Sequence, residues 1–142
     1  RATALLGAYR SELSLKRRMS KLNAAAALAL FSLIPLRVKD TNLLWGVHLS
    51  HTGQRYRLDV RTSKCGTEFH GEICDFVTPF LDALLLRGCD ETFLDMKRRA
   101  VLQSSQALFA HPNVRHIFNL RVAYFPHLPL EWGTHYIFCY TT

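Results

Sequence analysis

The chain has 142 residues and 49% hydrophobic content, enough for one domain with a substantial core and too few for two comfortable ones. Its 18 Lys and Arg against 11 acids give a net charge of +7, which points towards a polyanionic partner. The longest apolar run, Ala24 to Ile34, is well short of the roughly 20 residues a membrane-spanning helix needs, and no secretory signal opens the chain.

Residues 1–22 hold much of that charge. Arg1, Arg10, Lys16, Arg17, Arg18 and Lys21 stand there against Glu12 alone, which makes a basic arm or helix leading into the core of residues 23–142. Of these, Arg10, Lys16, Arg17, Arg18 and Lys21 are the candidate phosphate contacts, because neutralising phosphates releases counterions whatever the base sequence. A solvated basic helix face would carry the same charge. Opening on Arg rather than Met, the chain reads as a domain of a longer protein or as a processed one.

Ser20 is placed to cap a helix through LNAAAALALFSLI, whose almost wholly apolar surface requires burial. Pro35 ends it, and LRVKDTNLLW is expected to form a second, shorter helix. The period then changes. Gly53 offers a turn, YRLDVRT alternates as a strand, SKCG turns again with Lys64 at the tip, and TEFHGEI returns. Thr78-Pro79 starts a helix that Gly88 can terminate, and a further helix is expected from about Asp90 towards Leu108. The expected fold is α+β: a mostly helical domain with a small antiparallel three-stranded sheet.

Cysteines at 65, 74, 89 and 139 form no CxxC pair, so reduced, cytoplasmic thiols are expected rather than a zinc site or a disulfide framework. His111 and His116 are five apart and no HExxH occurs, so no metal is expected either.

Three segments carry a resemblance. LIPLRVKDTNLLW resembles the first arginine motif of the tyrosine recombinases (the phage integrase family), with Arg37 as the arginine and Asp40 as the acid three residues on. YRLDVRTSKCGTEF resembles the family's β-hairpin, with Lys64 at its tip, 27 residues after Arg37. WGTHYIF resembles the surroundings of the family's His-x-x-Arg motif, with His135 as the histidine and Phe138 where the second arginine belongs.

The resemblance implies a catalytic-domain fold that attacks a DNA phosphodiester through a tyrosine and stores it as a 3′-phosphotyrosyl intermediate, with no metal or nucleotide cofactor. It implies Arg37 as a phosphate clamp, Lys64 as the acid that protonates the leaving 5′ oxygen, His135 as a stabiliser of phosphate charge, and Asp40 as a support that orients Arg37 or its helix. Double-stranded DNA is the implied partner, with assembly of several copies on DNA left open, and a bacterial, nucleoid-associated location would follow. A phenylalanine cannot donate to phosphate, so Phe138 marks a degenerate position and an inactive chain; the nucleophilic tyrosine is expected beyond Thr142, since Tyr136 and Tyr140 lie too close to His135. A rival alignment builds the motif on Arg115 and His116, with His127 and Tyr136 imitating the terminal segment. A DNA-binding remnant or regulator that keeps the fold without catalysis is the alternative reading, and an unrelated interaction domain is a third.

Overall fold

A computed structural model describes residues 1–34 and 36–109 of the chain. Among them are four α-helices and a small three-stranded antiparallel sheet, an α+β arrangement.

The basic N-terminal segment is not a separate arm. It forms helix α1 (Ala2–Ser11) and the first part of α2 (Leu15–Phe31), joined by a three-residue turn that folds one helix back along the other. Tyr9 is buried, and Leu5, Leu6 and Met19 pack on the core, so the apolar residues of the segment fix it in place. Helix α2 begins at Leu15 and not at Ser20, which lies exposed inside it; LKRRM consists of good helix formers and simply extends the apolar helix backwards. Its N-cap, Ser14, makes no side-chain capping bond. From Leu22 to Phe31 every residue of α2 is buried, as the almost wholly apolar surface demands, and the alanines let α1 and a later helix, α3 (Thr78–Leu86), approach closely.

The expected second helix after Pro35 is replaced by a 3-10 turn, Val38–Thr41. The chain then runs extended. Trp45 N–H donates to the Gln106 carbonyl at 2.8 Å and Leu108 N–H donates to the Leu43 carbonyl at 2.8 Å, bracketing a bridge between Leu44 and Ala107. Leu43 and Trp45 are both buried. Extended pairing with a distant segment has overridden a local pattern that also fits a helix.

Strands β1 (Leu49–His51), β2 (Tyr56–Arg61) and β3 (Glu68–Glu72) follow in sheet order β1-β2-β3. Alternation along β2 turns Tyr56, Leu58 and Val60 inward. Its outer residues face charged partners across the strand pair, Arg57 opposite Glu72, Asp59 opposite His70 and Arg61 opposite Glu68.

Helix α3 (Thr78–Leu86) opens with Pro79 in its first turn and ends where Arg87 adopts the left-handed conformation, ahead of Gly88. The last described helix, α4 (Leu94–Leu102), is shorter at both ends than expected. Asp90 caps a preceding 3-10 turn through a 2.9 Å bond from Thr92 N–H, and Ser105 in the left-handed region closes the other end. Leu108 and Phe109 then return to the core, Phe109 against Phe31 with ring centroids 5.9 Å apart. Among the described residues no helix is long and apolar enough to cross a membrane.

Candidate functional site

The 3-10 turn and the β2–β3 hairpin are distant in sequence but joined in space. Asp40 Oδ1 accepts the Ser63 backbone N–H at 3.1 Å, and Arg37 Nη2 lies 3.9 Å from Cys65 Sγ, within reach of a weak N–H to sulfur bond. Ser63 and Cys65 flank Lys64. The hairpin end is itself closed by Thr62 N–H to the Thr67 carbonyl at 2.9 Å and Gly66 N–H to the Thr62 carbonyl at 3.1 Å. Three sequence-derived residues are therefore brought into one locality: half-buried Arg37, Asp40 beneath the hairpin, and Lys64 exposed at its tip.

Asp40 acts here on the hairpin and on its own turn, where its N–H donates to the Arg37 carbonyl at 2.9 Å. Its Oδ2 is buried without a hydrogen-bond partner among the described residues. Arg37 lies against the hairpin end whose tip carries Lys64, and the two side chains offer different phosphate chemistry, a guanidinium donating in a planar fork and an ammonium acting as a compact point charge. His135 and Phe138 lie outside the described residues, as do Arg115, His116, His127, Tyr136 and Tyr140.

The five basic residues of the N-terminal segment divide into two groups. Arg10, Lys16 and Arg17 are exposed. Arg18 instead lies over the ring of Tyr9, 5.2 Å from its centroid. Lys21 pairs with Glu12 at 2.8 Å, a bond that also holds the Glu12 carboxyl below the usual carboxylate range.

A polar cluster at the other end of β2, around Tyr56, was not legible in the sequence. The Tyr56 hydroxyl donates to Asp82 Oδ1 at 2.5 Å, Arg98 Nη2 donates to the same oxygen at 2.9 Å, and Arg98 Nε reaches the hydroxyl at 3.4 Å. His51 meets Tyr56 edge-on at 4.8 Å between ring centroids. Its Nδ1 accepts the Gly53 N–H at 3.2 Å, so the ring proton belongs on Nε2, which is buried with no partner among the described residues. Burial, and then the Arg98 charge, push the His51 pKa down and keep the ring neutral. Strand alternation placed Tyr56 inward, but nothing in the spacing ties it to Asp82 and Arg98, 26 and 42 residues away.

Among the described residues no group of three or more His, Cys, Asp or Glu side chains is placed to hold a metal ion. Comparison of the chain with protein-family models, with curated proteins and with solved structures finds no match in any of the three.

Proposed function

We propose that this chain is a tyrosine recombinase-like domain that binds double-stranded DNA, with Arg37 and the hairpin Lys64 contacting a backbone phosphate and Asp40 holding the hairpin over it. The observation that carries the reading is the Asp40 to Ser63 bond, with the Arg37 to Cys65 contact beside it: a hairpin tip bearing a lysine is fastened to the turn bearing the motif arginine. In the intact family such a site cleaves and rejoins DNA through a phosphotyrosyl intermediate. Phe138 in place of the second arginine favours DNA binding without strand cleavage for this chain. On this reading the chain would act on bacterial DNA in the cytoplasm, with no nucleotide or metal cofactor in the binding step.

Labelled duplex DNA titrated with the wild-type chain, Arg37→Ala and Lys64→Ala tests this. Each variant is expected to bind about five- to tenfold more weakly, because each loses one charge-assisted phosphate contact. Arg55→Ala is the control. Arg55 is exposed and engaged by Glu72 and Asp75, so its removal should leave binding unchanged. Equal binding by all four proteins would overturn the proposed site. On a suicide substrate the unaltered chain is expected to form no covalent adduct, and an adduct lost on Tyr136→Phe would replace the Phe138 alignment with the one built on Arg115 and His127.

A further inference from the structure

The turn between α1 and α2 places two leucines in water: Leu13 is 98% exposed and Leu15 is 69% exposed. The surrounding segment has not been left apolar by default. Leu5, Leu6 and Tyr9 of α1 are turned towards the core, so the two leucines are the apolar residues that the hairpin presents outward at this corner. Exposed Arg10 precedes them and exposed Lys16 and Arg17 follow. The acid between, Glu12, is engaged by Lys21 at 2.8 Å, and its other oxygen accepts the Ser14 N–H at 3.4 Å. An apolar tip is thus held on a fixed turn with three exposed cations at its base, Arg17 among them within the field of Glu12.

We propose that Leu13 and Leu15 are a wedge that enters the minor groove of duplex DNA and opens a base step while Arg10, Lys16 and Arg17 hold the adjoining phosphates. This rests on the DNA-binding reading above and adds to it a second contact and a deformation. Apolar side chains inserted between base steps from the minor groove kink the duplex, and basic residues beside them hold the bent backbone. Pyrimidine–purine steps unstack most readily, so a site with TA or CA steps under the wedge is bound more tightly than a stiff A-tract. A lipid surface fits less well. An interfacial helix lays a long apolar stripe into the headgroup boundary, whereas here the outward residues of α1 include Thr3, Gly7 and Ser11. Leu13 and Leu15 stand at the start of α2 and Arg37 follows its end, so substitution at the wedge changes none of the residues of that site.

Two end-labelled duplexes of equal length, one with central TA steps and one with a central A-tract, are titrated with the wild-type chain, the Leu13→Ala/Leu15→Ala variant and the Leu13→Met/Leu15→Met variant. Bending is followed by energy transfer between the ends. Wild type is expected to bend the TA duplex and prefer it. The alanine variant should bind it about tenfold more weakly, lose the bend and keep the salt dependence, and the methionine variant should retain both affinity and bend. Wild-type affinity and bending in the alanine variant would overturn the wedge while leaving the DNA-binding reading standing. Absence of duplex binding by the wild-type chain would overturn both. Leucine-dependent binding to phosphatidylserine vesicles, with DNA binding indifferent to the leucines, would overturn the wedge in favour of a lipid partner.

Discussion

Tyr56 is wholly buried, yet its hydroxyl has a carboxylate as acceptor and a guanidinium beside it. Asp82 serves two donors through one oxygen, and the side chains of Asp82 and Arg98 are only 20% and 19% exposed, so desolvation and pairing both matter at this spot. Replacing Tyr56 with Phe removes the bond to Asp82 and the longer one from Arg98 Nε but leaves the ion pair, and is expected to cost about 1–2 kcal/mol. Asp82→Ala takes the acceptor from the hydroxyl and leaves Arg98 with only the exposed Asp95, at 3.4 Å, and should cost about 3 kcal/mol. Urea unfolding of the two variants checks the order. The cluster also has a pH signature. Burial, first, and the bond to Asp82 push the Tyr56 pKa well above that of an ordinary tyrosine, so the folded state keeps a proton that the unfolded chain gives up above about pH 10. Its contribution is complete below that pH and is lost as pH rises towards the folded value. Wild-type stability should therefore fall more steeply above pH 10 than that of Tyr56→Phe, by up to about 1.4 kcal/mol per pH unit. Equal slopes would show that the phenol does not stay protonated in the fold.

At the scale of elements, legibility followed the reach of the interactions involved. The hairpin was read correctly because period-2 alternation and turn residues are local signals, and they settle which of Tyr56 to Arg61 face inward. The Ala-rich helix was read for the same reason. What failed was the segment after Pro35: its residues form no second helix because Leu43 and Trp45 find extended partners near residue 107, a pairing no window of sequence contains. That pairing makes Gly46 indispensable. It has a φ of +77°, and a Cβ there would overlap the Leu102 carbonyl oxygen at the end of α4. Gly46→Ala must pay for the strained backbone and also displace a helix terminus, so a loss of about 3 kcal/mol is expected. Gly53, at φ +88° with nothing within 4 Å, separates the two effects. Its alanine variant should lose only about 1 kcal/mol, and equal losses at the two positions in thermal or urea unfolding would show that the contact with α4 is immaterial.

For the whole molecule, net charge is a poor measure of how many phosphates the proposed DNA-binding surface could engage, because the fold has already committed part of it. The five candidate cations of residues 1–22 were indistinguishable in the sequence; folding commits Arg18 to the Tyr9 ring and Lys21 to Glu12, while Arg10, Lys16 and Arg17 remain in solvent. The proposed binding site could likewise be sketched from Arg37 and Lys64, but the bond between Asp40 and the hairpin backbone could not, since it depends on how a 3-10 turn meets the turn between β2 and β3. This difference is measurable through salt. Each released counterion contributes about 0.9 to the slope of log K against log salt on B-form DNA. Neutralising Arg10, Lys16 and Arg17 together with glutamine should therefore flatten the slope by about 2.7, so that raising salt from 50 to 200 mM weakens the variant about 40-fold less than it weakens wild type. The Arg18→Gln/Lys21→Gln variant removes two of the same charges and should leave the slope within about half a unit of wild type, although losing the Glu12 pair slightly lowers its stability. Were both variants to flatten the slope in proportion to the charges removed, the binding surface would include the residues that the fold turns against Tyr9 and Glu12, and the N-terminal hairpin would have to rearrange on DNA.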